Sequence, residues 1–416
     1  MPRSPLTLAA SVTAALPGAT IVGASRLGSE ERGGVESALV ELADGRRLVV
    51  RVAEDDEAGR AVRTEARVLE SLSAGVRSLL PFAAPRILGQ TSLGTGHAVV
   101  ADYIDGYRVD ASDIPPGAGF AGLIGRALAA VHDLPVTVIR AEGFPVRSAD
   151  QVRTDTARII DRADASGRLP RALRDRWRTL VDDDAAWRFE ATVVLDGFEV
   201  TSLIFDDVAE TPAVVGLLGW HGLSIGDPAV DLRWLGSAPA AADAVHDAYA
   251  AASHRASDAA LLSRARLFAE LEFAKWLVHG VDTDDEVVVS DAEKLLASLA
   301  EATDGTELVR HGQGDVDDAI ALLEQVPAPS DSAIDTSMQT DAYDPVALGA
   351  YLADVAPERP DPDEGGVPTL PVDLSEWTAA PSPAHDDTSP TAEDDEESRA
   401  ETARASREAL RRWTEG

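Results

Sequence analysis

Side chains able to handle protons or metal ions are concentrated between residues 193 and 232. Carboxylates stand at Asp196, Glu199 and Asp206, and an imidazole follows at His221. A positioned carboxylate can act as a general base toward a hydroxyl, and carboxylate oxygens are the ligands that Mg²⁺ prefers. The spacing of these residues singles out none of them, so each one is also open to interpretation as an ordinary solvated loop group.

The positions of these side chains depend on a predicted β-hairpin. Two short apolar runs, residues 203–205 and 214–218, lie on either side of the polar pair Asp206-Asp207, which we interpret as the turn. A loop, residues 195–202, precedes the first strand. Neighbouring side chains of an extended segment alternate in direction, so Asp196 should point away from the side that residue 197 faces.

The order of motifs in this stretch resembles the catalytic core of the aminoglycoside and macrolide phosphotransferases, which share the protein-kinase-like fold. That family reads His-Gly-Asp-x-x-x-x-Asn, two strands, an Asp-Trp step and then Gly-Asp-Pro-x-x-Asp-Leu. Here Leu195 stands at the His position, Gly197 at the catalytic Asp, Ser202 at the Asn, and Gly219 at the metal-binding Asp before Trp220. The resemblance therefore implies the fold of the family and a degenerate member that lacks its reactive side chains.

The last of these motifs is complete, since residues 226–232 read Gly-Asp-Pro-Ala-Val-Asp-Leu. In the family this segment supports the catalytic loop, so the resemblance assigns a structural role to Asp227 and Asp231. A scaffold kept without its reactive groups is the pattern of a pseudokinase, and we predict a catalytically degenerate binding or regulatory module. The alternative is an active ATP-dependent small-molecule phosphotransferase, similar to the aminoglycoside and macrolide kinases, that uses displaced acidic residues.

Residues 1–106 show the pattern of a small sheet with helices. A first helix is predicted up to a stop at Pro17-Gly18, and Asp44-Gly45 is a strong turn signal. Apolar alternation predicts strands over residues 21–27, 36–42, 47–53, 87–89 and 98–104, with a helix over 57–72 between the third and fourth. This order is similar to the N-terminal lobe of the family and predicts a two-lobed α+β fold.

The resemblance also implies nucleotide-binding residues in this lobe. They are Arg51 at the position of the family's Lys, Glu65 as its partner on the next helix, Gly33 and Gly34 in a phosphate loop, and Asp102, Tyr103 and Ile104 in the hinge. The cofactors so implied are ATP and Mg²⁺. Arg presents a planar fork rather than a point charge, and the loop also contains two glutamates that would repel a triphosphate. A structural Arg51–Glu65 ion pair and an ordinary hairpin connection are therefore the alternatives.

A mainly helical second lobe is predicted over residues 107–305. Helical spacing indicates helices over residues 120–132, 151–166, 171–182, 240–253, 258–280 and 291–302. The first of them ends in a phrase around His132, Leu134 and Pro135 that is frequent in the phosphotransferase family. One further short helix is predicted within residues 306–326.

The composition excludes several classes of protein. A net charge of -35 argues against unaided nucleic-acid binding, which needs clustered Lys and Arg. No stretch reaches the roughly 18 unbroken apolar residues of a membrane helix, so no membrane interaction is predicted. The chain has no Cys, which excludes disulfides, thiolate nucleophiles and Cys-zinc sites. We expect a cytoplasmic protein.

The composition changes in the last quarter of the chain. Residues 327–398 contain 18 acidic residues against one Arg and 11 of the 24 prolines, so an acidic disordered linker is predicted. Residues 399–416 carry Arg404, Arg407 and Trp413 and are predicted to form a basic helix that binds a protein partner. The alternatives are that this helix folds back on the acidic linker or is a frayed end.

Deletion of residues 327–416 should leave the melting temperature of the two-lobed body nearly unchanged, because the linker holds too little apolar surface to add to a core. Thermal unfolding of the full-length and shortened proteins measures this. A large fall in melting temperature would instead mean that the tail packs on the body.

Overall fold

The computed structural model describes residues 3–27, 34–53, 56–93 and 96–308. The strands in this part of the chain are β1 (Ile21–Arg26), β2 (Val35–Leu42), β3 (Arg47–Ala53), β4 (Ile87–Leu93), β5 (Gly96–Asp102), β6 (Thr192–Val194), β7 (Leu203–Val208), β8 (Thr211–Leu217) and β9 (Ser224–Gly226). The helices are α1 (Pro5–Ala15), α2 (Asp56–Ser71), α3 (Ala74–Arg77), α4 (Gly119–His132), α5 (Val136–Ala141), α6 (Ala149–Ala165), α7 (Arg171–Asp182), α8 (Ala242–Ala252), α9 (Leu261–Asp282) and α10 (Glu286–Ala302).

Strands β1 to β5 form one antiparallel sheet in the order β1-β2-β3-β5-β4. Alternation along the strands sends Val50 to one face, where it shares a buried cluster with Val12 of α1. The opposite face carries Val99, which clusters with Val62 of α2. Arg51 follows Val50 in β3, so its side chain lies on the α2 face. The predicted small antiparallel sheet with its helices is therefore confirmed.

Strand β5 ends two residues earlier than predicted. It stops at Asp102 instead of residue 104, because the chain here leaves the sheet and turns toward the second lobe. Gly106 takes a φ of +138°, and a Cβ there would lie 2.6 Å from Ile204 Cγ2. Only glycine permits this conformation together with such a close approach.

The β7–β8 hairpin exists, but its turn is not at Asp206-Asp207. Both aspartates belong to β7 and pair with β8. The turn is formed by Ala209 and Glu210, whose φ values are +52° and +63°. Positive φ at both central residues is the geometry whose twist suits a two-residue hairpin. The polar pair misled the sequence interpretation because β7 continues beyond its apolar part, with Asp206 exposed and Asp207 half-buried.

The second lobe is mainly helical, as predicted, and holds two apolar clusters. Helix α4 packs along α8, and its Phe120 and Ile124 share the first cluster with Trp220. Helices α6, α7, α9 and α10 enclose the second cluster, in which Trp177 and Leu277 are fully buried. The segment of 3-10 turns over Pro228–Ser237 packs against α9 and β6.

Helix α10 begins at Glu286, ahead of the predicted start at residue 291. The Asp285 carboxylate accepts the backbone N–H groups of Val287 and Val288 at 3.0 and 3.1 Å. Such an N-cap satisfies donors that the first helical turn leaves free. The cap therefore adds a turn of helix before the apolar periodicity becomes clear.

Backbone hydrogen bonds attach both edges of the β7–β8 hairpin to other segments, one within the first lobe and one just after it in the chain. Tyr107 and Phe205 exchange two bonds of 2.8 Å. On the other edge, Ala83 donates to Val215 and accepts from Leu217, each at 2.9 Å. The hairpin that ends the 195–202 loop is therefore held from both sides.

No helix within the described residues has the length and apolar character needed to cross a membrane. Residues 306–308 are described and are not helical, and Leu308 is buried in the second cluster. The rest of the predicted 306–326 helix, the acidic linker 327–398 and the terminal helix 399–416 lie outside the described residues.

Gly125 marks a close approach between α4 and α8. A Cβ there would lie 2.9 Å from Tyr249 N and 3.0 Å from Ala248 Cβ. Gly125→Ala should lower the free energy of unfolding by about 1–3 kcal/mol, because two backbones would have to separate.

The matched change Gly122→Ala lies one turn earlier in α4 and meets mainly the flexible end of Arg126 at 3.3 Å. It should be neutral or stabilising by up to about 1 kcal/mol, since Ala favours helix more than Gly does. Urea unfolding of both variants checks the pair. Equal destabilisation would contradict the close approach at Gly125.

Candidate functional site

Arg51 and Glu65 form the predicted ion pair between β3 and α2, with Arg51 Nη1 donating to Glu65 Oε2. The Glu65 side chain is 9% exposed and the Arg51 side chain 39% exposed. The carboxylate is thus buried, while part of the guanidinium remains accessible to a ligand. A contact between Arg51 and phosphate stays a prediction.

The predicted hinge residues Asp102, Tyr103 and Ile104 lie where the chain leaves β5. Asp102 Oδ1 accepts the Arg86 N–H at 2.6 Å. The Arg47 guanidinium lies over the Tyr103 ring, 5.2 Å from its centre, as in a cation–π contact. The Ile104 side chain packs against β8. These contacts hold the segment between the sheet and the hairpin.

The predicted phosphate loop is only partly described. Gly34 has a φ of +70°, a left-handed conformation that favours glycine. Gly33 and residues 28–32 lie outside the described residues.

Gly197, Ser202, Gly219 and His221 lie together where the 195–202 loop meets the turn after β8, and we call these four residues the junction site. A Cβ on Gly219 would lie 3.2 Å from Ser202 Oγ, and a Cβ on Gly197 would lie 3.2 Å from His221 Nε2. The structure therefore pairs Ser202 with Gly219 and Gly197 with His221, and the two pairs are neighbours because Gly219 and His221 are two residues apart in the chain. His221 joins them through a contact that motif spacing does not reveal.

The donor set of the junction site does not fit Mg²⁺. Its four residues contribute one side-chain oxygen, the Ser202 hydroxyl, whereas Mg²⁺ prefers charged oxygens. Neutral imidazole is a poor match for this hard ion. Among the described residues, no three His, Asp or Glu side chains lie close enough together to hold a metal ion.

Asp196 precedes Gly197 but has different partners. Its Oδ2 accepts from Arg147 Nη2, and Arg233 Nη1 lies 3.8 Å from its Oδ1. The φ of Asp196 is +42°, a conformation that few residues other than glycine adopt. Two cations thus offset this carboxylate.

A cavity of about 90 Å³ opens beside Asp196, between the 195–202 loop, α6 and α9. Its apolar wall includes Val152 and Leu271. Its charged lining consists of Arg147 and Lys275 together with the carboxylates Asp155, Asp196, Asp227 and Glu272.

Asp231 is fully buried and supports the 195–202 loop from beneath. Its Oδ2 accepts the Leu195 N–H at 2.7 Å and lies 3.2 Å from His132 Nε2. His132 Nδ1 lies 2.9 Å from the Tyr249 hydroxyl. Burial raises the pKa of that hydroxyl above its usual value, so Tyr249 stays a neutral donor. One imidazole tautomer, with the proton on Nε2, satisfies the whole chain of bonds.

Asp227 is also buried and forms a two-point ion pair with Arg264 of α9. Arg264 Nε and Nη2 donate to its two carboxylate oxygens at 2.7 and 2.9 Å, and the Ala229 N–H adds a third bond. Burial raises the pKa of the Asp227 carboxyl, while Arg264 opposes that shift. The pair joins the 226–232 segment to α9.

Comparison with known proteins agrees with this geometry. The family described as "Phosphotransferase enzyme family" matches residues 31–268, more than half of the chain. The chain belongs to this phosphotransferase family. No curated protein matches the sequence.

Several solved structures share this fold. Macrolide 2'-phosphotransferase MphH from Brachybacterium faecium is 21% identical, with a TM-score of 0.57 over 69% of this chain and 96% of that one. Macrolide 2'-phosphotransferase type I is 23% identical, with a TM-score of 0.54 over 70% and 94%. Aminoglycoside 2'-phosphotransferase-IIIa, solved as a GDP complex, is 15% identical, with a TM-score of 0.58 over 72% and 100%.

These similarities confirm the predicted two-lobed, protein-kinase-like fold of this phosphotransferase homologue. At such identities they concern the fold alone. The chemistry has to be argued from the side chains of this chain, and above all from the junction site.

Arg264→Ala should destabilise the phosphotransferase homologue by roughly 3–5 kcal/mol, because it leaves the buried Asp227 carboxylate without its cation. The matched change Arg266→Ala removes an Arg of the same helix that is 46% exposed and pairs with Glu270. That loss should cost at most about 1 kcal/mol. Chemical unfolding of both variants measures the difference, and similar losses would contradict a structural role for the Asp227–Arg264 pair.

Proposed function

We propose that this chain is a catalytically degenerate phosphotransferase homologue, a nucleotide-binding or regulatory module that transfers no phosphoryl group to aminoglycosides or macrolides. The observation that carries the proposal is the composition of the junction site. Gly197, Ser202 and Gly219 converge there and bring one hydroxyl and no carboxylate.

The expected reduction in the rate of phosphoryl transfer supports this proposal. Phosphoryl transfer depends on positioning and on neutralising charge. A missing general base typically costs about 10²–10⁴ in rate. A site that does not fit the metal ion also loses the charge stabilisation that the ion supplies. Both effects act in the same direction, although they need not add.

The first lobe supports retained nucleotide binding. Arg51 is oriented by the buried Glu65 and stays partly accessible, as a phosphate-binding cation must be. The hinge is held between Arg47 and the β7–β8 hairpin. The aminoglycoside 2'-phosphotransferase-IIIa with the same fold was solved with GDP. We therefore propose a purine nucleotide as the ligand of this cleft.

One observation favours the second candidate, an active small-molecule phosphotransferase that uses a displaced carboxylate. Asp196 lies one residue before Gly197 and lines the cavity beside the loop, where an acceptor hydroxyl could reach it. Its pairing with Arg147 and Arg233 weakens it as a base. If transfer occurs, Asp196→Asn should abolish it, whereas the matched change Glu199→Gln should not.

We further propose that residues 399–416 bind a protein partner and that the protein acts in the cytoplasm. Both proposals rest on the sequence alone. The partner proposal rests on the basic residues and Trp413 that follow an acidic linker, and the cytoplasmic proposal rests on the composition of the chain.

The purified protein should bind a purine nucleotide without phosphorylating an aminoglycoside or a macrolide. Bound nucleotide at 100 times its Kd should add about 2.7 kcal/mol of stability, seen as a rise in melting temperature. Arg51→Ala should reduce that rise, and Arg51→Lys should keep most of it.

An active phosphotransferase assayed in parallel provides the positive control for drug phosphorylation. Phosphorylation of the drug that depends on the protein would overturn the proposed loss of activity. Absence of any nucleotide-induced rise would overturn the proposed nucleotide binding.

A further inference from the structure

We infer that His221 replaces the missing metal ion at the junction site, so that a purine nucleotide binds without Mg²⁺ and with its terminal phosphate against the His221 imidazole. The inference rests on the proposed function, because it needs a nucleotide in the cleft. To the proposed function it adds a residue that contacts the nucleotide, His221, and the statement that binding does not need Mg²⁺.

The position of the imidazole is the first support. His221 Nε2 lies 3.2 Å from the place where a Cβ on Gly197 would stand, so the ring borders the space that a longer side chain at residue 197 would use. In a phosphotransferase the base orients the hydroxyl that attacks the terminal phosphate, and it therefore lies beside that phosphate. His221 consequently borders the terminal-phosphate position.

The backbone of His221 is fixed while its side chain is free to meet a ligand. The neighbouring Trp220 is buried, and its Nε1 donates to the Leu217 carbonyl at 2.7 Å. On the other side, Gly222 lies so close to the 195–202 loop that a Cβ would be 3.0 Å from the Asp196 carbonyl oxygen. His221 itself is exposed. A rigid backbone with an accessible ring suits a binding group.

Helix α2 links this turn to the other phosphate-binding candidate. It carries Glu65, the partner of Arg51, and packs against the turn Trp220–Gly222. The Arg51–Glu65 pair and His221 therefore belong to elements that pack against each other. The inference places the phosphates of one nucleotide in contact with both groups.

Electrostatics favours a bare phosphate here. Carboxylates at residues 197 and 219 would repel phosphate unless a metal ion lay between them, and glycine at both positions removes that repulsion. An imidazole N–H donates a hydrogen bond to a phosphate oxygen. The nearby Asp196 carboxylate is offset by Arg147 and Arg233. The junction site thus matches phosphate itself better than a phosphate–metal pair.

The inference is tested by titration calorimetry with ATP, performed once in buffer with EDTA and once in buffer with Mg²⁺. We expect the unmodified protein to bind ATP at least as tightly in EDTA as in Mg²⁺. His221→Ala should weaken binding in EDTA by about tenfold or more, the size of one hydrogen bond to a charged group. His221→Asn keeps a donor and should recover part of that loss. His246→Ala, a matched change on α8, should bind like the unmodified protein.

Adenosine, which carries no phosphate group, is the control for the contact between phosphate and His221. Its affinity should be the same in the unmodified protein and in His221→Ala, and the melting temperatures of the free variants show that they are folded. Binding that requires Mg²⁺, or ATP affinity unchanged by His221→Ala, would overturn the inference and leave the proposed nucleotide binding intact. Absence of ATP binding under all conditions would overturn both.

Discussion

The buried carboxylate of Asp231 is the constraint on which the geometry of the site depends. It accepts the Leu195 N–H and faces His132, which in turn contacts Tyr249. Only Oδ2 makes these contacts, since Oδ1 is buried without a hydrogen-bond partner among the described residues. Burial of a carboxylate is costly, so loss of either Oδ2 contact would add to that cost, and the two contacts favour one arrangement of the 195–202 loop, α4 and α8. Asp227 adds a second buried anchor through Arg264. Together the two carboxylates join the 226–232 segment to the 195–202 loop and to α9, and the Leu218 N–H bond to the Ser202 carbonyl joins the loop to the end of β8.

This scaffold does not depend on the groups that would carry out phosphoryl transfer. The positions 197, 202 and 219 lie on loop and turn segments, and the bonds that place them are made by backbone atoms, such as the 2.8 Å bond from Leu218 N–H to the Ser202 carbonyl. Gly219 has a φ of +76°, which glycine adopts without strain. The described fold therefore accommodates glycine at positions 197 and 219 through backbone hydrogen bonds alone, which is why the fold of this phosphotransferase homologue does not by itself reveal its chemistry.

The two lobes carry different kinds of polar side chain at the positions proposed to bind a nucleotide. In the first lobe, the buried Glu65 holds the Arg51 guanidinium, which always carries a charge and forms directed hydrogen bonds. In the second lobe, the junction site contributes the His221 imidazole, the Ser202 hydroxyl and no carboxylate, whereas Mg²⁺ prefers charged oxygens. Both lobes thus carry hydrogen-bond donors, and this distribution is the physical basis of the proposal that the protein holds a nucleotide without activating an acceptor hydroxyl.

The sequence by itself determined the long helices, the strands of the first lobe and their order, and it missed short elements such as α3 and α5. Apolar alternation indicated β1 to β3, helical spacing indicated α4 and α7, and the motif order indicated the phosphotransferase resemblance, because these signals are local along the chain. It misplaced the hairpin turn, whose position depends on the backbone conformation of Ala209 and Glu210. It also misplaced the start of α10, which the Asp285 N-cap determines. Only the tertiary structure brought His221 to Gly197 and Asp231 to Leu195. Such contacts join residues far apart in the chain, and the packing of buried side chains, which no local pattern encodes, decides them.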